Sequence, residues 1–399
     1  MMVGAKVMDS LHNDTEATQM SGASDPAFRA ELDSKPIGRV TYMPEPGKLE
    51  LREYQLPEVD ELPDGALLLR TLAAGVCGSE LHIFSGHHPL RSIVMGHEFV
   101  GEVTSRRRRT RDSAGLPLQD GDRVSAPYFL TCNACPACVR GQTNLCRNAY
   151  RNWLKHPDDG PHFTGTHGTH YFVDPKQWLF KVPDNVPTTV VASANCGLSQ
   201  VWEGLNRAQL RPGERVVIQG AGGLGLYATA IAKERGARVL VIDSVARRLA
   251  AAERFGADET VNFAAEGEDQ AARVAEWTDG EGADMVLGLA GVAAAVPDGL
   301  AMVRDGGRYV EIGNVTPGAM VSLDIGSLTR REVSILPIIR YRPGSLYEAL
   351  QFLSRNVDRL PFDELIDAQY PLDGLSRALE DSAARRVNRA VLVADGVGT

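Results

Sequence analysis

The chain has 399 residues, more than a single hydrophobic core usually serves, so two domains are expected. A composition 43% apolar and 23% charged is that of an ordinary globular protein, and a net charge of −9 excludes a general nucleic-acid binder, whose phosphate affinity needs a Lys/Arg excess. No run approaches the roughly 18 apolar residues of a membrane span, and the first residues lack a signal-peptide apolar core, so a cytoplasmic, thiol-reducing setting is expected.

Residues 1–37 are polar without period and read as a mobile N-terminal extension. From Gly38 to about Asp184 the pattern is β-rich, with runs such as GALLLRTLAAGVC and IVMGHEFVGEV broken by Gly, Pro and Asp. The segment RRRRTRDSAGLPLQDGDRV between two such runs reads as a long solvated turn, its Arg106–Arg109 run an exposed loop rather than a nucleic-acid patch. From about Val190 the period changes. ASANCGLSQVWEGLNRAQL is helical, RVVIQG a buried strand and LGLYATAIAKERGA an amphipathic helix. RVLVID, MVLGLAG, RYVEIG and VSILPI continue as strands, with SVARRLAAAERFGAD a helix among them. Strand and helix alternating in this way predict a doubly wound parallel sheet, hence an α/β chain with a Rossmann coenzyme domain over 197–344. After Arg342 come a helix, YPL, another helix and a closing strand RAVLVA. These are expected to rejoin the first domain, which then comprises 38–196 and 345–399.

The nucleotide signal is Gly220-Ala-Gly222-Gly223-Leu-Gly225, which directly follows VVIQ and directly opens a helix. Such glycines let backbone approach a pyrophosphate at a helix N-terminus. Asp243 ends the next strand, eighteen residues after Gly225, where a carboxylate accepts from adenosine ribose hydroxyls and repels a 2′-phosphate. NAD is therefore expected rather than NADP, although Arg247 and Arg248 lie close enough to bind a phosphate. Arg248 equally suits the adenosine ribose.

Six cysteines in a reducing setting need a use other than disulfides. Cys132, Cys135, Cys138 and Cys146 fall within fifteen residues, a spacing that folds around one tetrahedral zinc ion and leaves no open position, so this site is expected to be structural. An iron–sulfur cluster also takes four cysteines and is the less favoured reading. The isolated Cys77 and Cys196, with His97, supply two thiolates and an imidazole, a three-ligand set with a fourth position left for water or substrate.

Cys77-Gly-Ser79-Glu80-Leu-His82, Gly96-His97-Glu98, the four-cysteine lobe, Asn195-Cys196-Gly197 and the glycine motif together resemble the zinc-dependent medium-chain alcohol dehydrogenases, over roughly residues 38–399. The resemblance implies a GroES-like catalytic domain joined to the Rossmann domain and two zinc ions per chain, one catalytic and one structural. NAD is the implied coenzyme, a small alcohol or carbonyl compound the substrate, and a homodimer or homotetramer the assembly. It implies that Ser79 takes the alcohol proton, that His82 is the outer end of a proton relay, and that Glu98 is an acidic neighbour able to ligate the metal transiently. Glu80 stands where the family more often has Asp, and a carboxylate there orients His97. Tyr128, Trp153 and His88 are candidate pocket walls. His156, His162, His167 and His170 are expected to form a loop and strand entrance without a third metal, and Arg340 and Arg342 to lie near the cleft. Two further readings are a metal-independent enone or quinone reductase and a non-catalytic nucleotide sensor. The intact Cys77, His97 and Cys196 argue against the first, and the intact Ser79 against the second.

Overall fold

A computed structural model describes residues 35–267 and 269–397. Most of the polar segment expected to be a mobile extension, residues 1–34, lies outside the described residues.

The β-rich half contributes β1 (Ile37–Met43), β2 (Glu50–Gln55), β3 (Leu67–Gly75), β4 (Ile93–Val94), β5 (Val100–Arg106), β6 (Arg123–Ser125), β7 (His170–Val173) and β8 (Phe180–Lys181). The parallel half contributes β9 (Arg215–Gln219), β10 (Arg238–Asp243), β11 (Glu259–Asn262), β12 (Ala283–Gly288), β13 (Val303–Glu311) and β14 (Ser334–Pro337), and the chain closes with β15 (Ala368–Pro371) and β16 (Ala390–Val393). β3 reads LLLRTLAAG because it lies inside its sheet, paired with β5, β7 and β16, so an alternating polar face has no place in it. β16 pairs antiparallel to β3 through Val391 and Gly75, which returns the C-terminal segment to the first sheet.

The six-stranded sheet runs β11-β10-β9-β12-β13-β14 with every pair parallel. Strand order reverses between β9 and β12, and ligands of open α/β sheets bind outside the strand ends at such a point. Each predicted strand of this half is present. β11 and the helices Gln270–Trp277, Ala295–Met302 and Ile325–Arg330 were not foreseen: β11 is an edge strand and buries only Val261 well, so it carries no apolar run.

One detail of the β-rich half differs from expectation. The 106–123 segment is less solvated than its composition suggests, because Asp112 and Leu118 are buried. The Asp112 carboxylate accepts from the backbone N–H groups of Ala114, Leu116 and Lys181 and so builds the turn around itself. The arginine run is matched locally: Arg106 pairs with Asp120, Arg107 and Arg108 with Asp64, and Arg109 donates to the Gln177 carbonyl. No helix among the described residues is long and apolar enough to cross a membrane.

Candidate active site and metal centres

Cys77 leaves β3 as the N-cap of the helix Gly78–Phe84. His97 lies between β4 and β5, and Cys196 sits in a single π-turn, Ala194–Leu198, that runs into the helix Ser199–Arg207. One extra residue in a helical turn re-aims the side chains it carries, and such bulges gather at functional sites. The donor atoms of Cys77, His97, Glu98 and Cys196 all lie within 4.8 Å of one another. The Cys77 and Cys196 sulfurs are 4.0 Å apart, against about 3.8 Å for two thiolates on one tetrahedral zinc. The hydrogen bond with Cys196 and the charge of His97 pull the Cys77 thiol well below its ordinary range, in spite of burial. These residues suit a zinc ion.

Glu80 reaches His97 despite its longer arm. Its Oε1 lies 3.1 Å from His97 Nδ1, and its Oε2 accepts from the Cys77 backbone N–H at 3.0 Å. Burial pushes this carboxyl up, but the imidazoles of His167 and His97 hold it well below the carboxylate range. Glu98 is fully buried, and both of its oxygens lie 2.5 Å from Nη2 of Arg389.

The second group, Cys132, Cys135, Cys138 and Cys146, also brings its sulfurs within 4.8 Å of one another. Cys135 caps the short helix Pro136–Val139, and Cys132 and Cys138 are 4.0 Å apart. Backbone N–H groups point at sulfur here: Cys132 N donates to Cys146 and Cys135 N to Cys132, each at 3.3 Å. Donors of this kind, that of Ala134 foremost, bring Cys132 down to about 5, whereas burial pushes Cys138 up to about 12. N–H groups aimed at sulfur favour the thiolate, which is the ligating form.

The glycine motif joins β9 to the helix Gly223–Glu234. Gly220 has φ +105°, and a Cβ on Gly225 would stand 1.9 Å from the Gly220 carbonyl oxygen, so turn and helix meet without room for a side chain. Asp243 ends β10 and accepts from Ala221 N at 2.7 Å and Val245 N at 2.9 Å, which fixes its carboxylate beside the turn. Gly220, Gly222, Gly223, Asp243 and Arg248 line one cleft of about 830 Å³ together with Cys77, Ser79, His82, His97, Glu98 and Cys196. Arg248 Nε is buried there without a hydrogen-bond partner, a donor suited to a polar ligand. Arg247 is engaged elsewhere, by the Arg385 carbonyl and Asp367.

Residues 63–184 match the family model of the alcohol dehydrogenase GroES-like domain, and residues 223–355 that of the zinc-binding dehydrogenase. The 5-exo-hydroxycamphor dehydrogenase of Pseudomonas putida is 30% identical over 349 residues, which cover 86% of this chain and 94% of that protein. The D-arabitol-phosphate dehydrogenase of Enterococcus avium is 31% identical over 320 residues, 79% of this chain and 86% of its own. The crystal structure of an alcohol dehydrogenase from Thermotoga maritima aligns with a TM-score of 0.83 at 29% identity, covering 90% of this chain and all of that one. The chain belongs to the zinc-type alcohol dehydrogenase family. It has the mixed α/β fold with GroES-like and Rossmann-like parts expected from its sequence, and its relatives are dehydrogenases.

In this dehydrogenase Ser79 and His82 occupy one face of the helix Gly78–Phe84, three residues apart, and His82 is exposed at the cleft. Tyr128 packs edge-on to His97 at 4.9 Å and Trp153 lies 5.6 Å from it, so both expected walls stand beside the donor cluster. His88 also lines the cleft. Arg342 does not: it pairs with Glu203, while Arg340 lies over the Tyr150 ring at 5.0 Å, behind the wall. Of the four histidines in the 150–170 stretch, His167 is fully buried rather than at an entrance, with its Nε2 3.0 Å from Glu80 Oε2. Arg389 and Tyr150 were missed by sequence reasoning, and His167 was placed at an entrance rather than behind Glu80.

Proposed function

We propose that the protein is an NAD-dependent zinc alcohol dehydrogenase interconverting an alcohol and its aldehyde or ketone. The observation that carries this is that one cleft is lined both by two sulfurs and an imidazole and by a glycine turn with its fixed carboxylate. Cys77, His97 and Cys196 would hold the catalytic zinc, and Cys132, Cys135, Cys138 and Cys146 the structural one. A zinc ion so held supplies Lewis acidity, lowering the pKa of an alcohol hydroxyl, and a nicotinamide dinucleotide supplies the hydride acceptor.

The chain's own residues do the rest. Ser79 Oγ would accept the hydroxyl proton while releasing its own hydrogen outward along the cleft, and His82, one helical turn on and exposed, would take that proton and give it to solvent. Gly220, Gly222, Gly223 and Gly225 open the turn to a pyrophosphate. Asp243 and Arg248, beside that turn, would hold the adenosine ribose. Arg247 is held by Asp367 and the Arg385 carbonyl, and the fixed Asp243 carboxylate beside the turn supports NAD over NADP. Glu98 would ligate metal only by giving up Arg389.

Tyr128, Tyr150 and Trp153 wall the recess at His97, and the Trp153 indole N–H is already spent on the Val94 carbonyl at 2.8 Å. Ring faces of this kind suit an alcohol with an apolar body better than a phosphorylated polyol, which needs buried charged partners. The test is a panel of benzyl alcohol, cyclohexanol, sorbitol and a pentitol phosphate, each with NAD and with NADP, followed by nicotinamide absorbance. The ring alcohols with NAD are expected to lead. Turnover of none of them with either coenzyme contradicts the proposal, and preference for NADP contradicts the role given to Asp243.

A further inference from the structure

Glu80 is a glutamate doing work for which an aspartate is shorter and stiffer. Its additional methylene adds a torsion, and a carboxylate free to swing holds His97 poorly. In this structure the swing is removed, because each oxygen is pinned: Oε1 by His97, and Oε2 by both the Cys77 N–H and His167 Nε2 at 3.0 Å. Glu80 and His167 are both fully buried.

His167 is itself held from two sides. Its N–H donates to the Met95 carbonyl at 3.0 Å, and its carbonyl accepts from Thr41 N at 2.8 Å. The neighbouring strand comes close enough for this only because residue 96 is glycine. Gly96 has φ +96°, and a Cβ there would lie 2.3 Å from the His167 nitrogen. The Gly-His-Glu run thus presents its glycine to His167 and its histidine to Glu80.

The other ring nitrogen, Nδ1, is buried with no partner. An imidazole with one nitrogen unsatisfied in the interior is costly, and an apolar side chain of similar size would avoid that cost. The ring's polar contact is the one to Glu80, and His167 lies 87 positions away from it in sequence. We propose that His167 is a positioning residue for the catalytic metal: by clamping Glu80 it fixes the His97 ring with Nδ1 toward the carboxylate and Nε2 toward Cys77 and Cys196. A partner behind a metal-binding imidazole sets its tautomer and orientation, and removing such a partner costs about 10–100-fold in metal affinity.

This inference rests on the reading of Cys77, His97 and Cys196 as zinc ligands, and the experiment separates the two. Zinc release to a chromophoric chelator is followed for the wild-type chain, His167→Phe, His167→Gln, Glu80→Ala and the Glu80→Ala/His167→Phe pair. Visible spectra of the cobalt(II)-substituted proteins are recorded in parallel. His167→Phe is expected to speed release of one of two zinc ions by about 10–100-fold and leave the other unchanged. It should also shift the cobalt bands. His167→Gln retains an N–H donor and is expected to restore most of the slow release. In the Glu80→Ala background, His167→Phe is expected to add little, since its route to His97 is gone. If Glu80→Ala fails to fold, the contrast between Phe and Gln at position 167 decides. A wild-type chain holding a single zinc would overturn the metal reading, and this inference with it. Two zinc ions whose release is unaltered by His167→Phe, or loosened alike, or not restored by Gln, would overturn the role of His167 alone.

Discussion

Arg389 and Glu98 form a buried ion pair beside Cys77, His97 and Cys196. Burial pushes the Glu98 carboxyl up while the guanidinium opposes it, so each charge depends on the other. Arg389→Met leaves a buried carboxylate without its cation and is expected to cost about 3–5 kcal/mol in urea unfolding. Arg389→Met/Glu98→Gln should recover part of that loss, because no bare charge remains. Equal stability of single and double variants would show that the pair contributes through packing alone. Neither this pairing nor that of His167 with Glu80 was legible in the sequence, since the partners are 291 and 87 residues apart. The two clusters of candidate ligands were legible because four cysteines are crowded into fifteen residues and the others sit in distinctive short runs.

Elements were legible where they are buried and periodic. β9, β10, β12 and β13 lie inside the parallel sheet and read as apolar runs, whereas edge strand β11 does not. The π-turn at Cys196 was read only as helix, since one added residue leaves the apolar period nearly unchanged. The turn from β9 into the helix Gly223–Glu234 has the least tolerance. Gly225→Ala places a methyl against the Gly220 carbonyl and is expected to cost about 1–3 kcal/mol. The shifted turn should also weaken NADH binding, read by fluorescence titration, roughly tenfold or more. Unchanged binding would remove the turn from the nucleotide site.

A different element carries a pH dependence. On β7, His170 stands opposite Arg70 of β3, and Arg70 is bonded to Glu102 of β5. Burial, with Arg70 adding to it, holds the His170 imidazole down at about 4. In the unfolded chain it takes a proton near 6.5. Between those values the unfolded chain binds a proton that the folded one refuses, so this stability is whole above about pH 6.5 and is lost as pH falls toward 4. Between pH 7.5 and 5.0 the wild type is expected to lose about 1–2 kcal/mol more than His170→Gln in urea midpoints. Parallel losses would show that His170 does not titrate in this way.

At the scale of the whole molecule, the described residues from Gly38 onward form one compact unit in which the chain leaves the β-rich half, builds the parallel sheet and returns through β15 and β16 to pair with β3. That return brings Arg389, just before β16, to Glu98, and the crossing brings Cys196 to Cys77. The cleft therefore depends on segments from the whole chain, whereas the four-cysteine lobe is local in sequence. As proposed zinc sites, the two clusters should accordingly fail in different ways. Zinc per chain, measured by atomic emission on the wild type and on Cys77→Ser, tests this most directly. Two equivalents falling to one are expected, with the fold and the remaining zinc retained. One equivalent in both proteins would contradict the account, because the donors gathered in the cleft would then hold no metal.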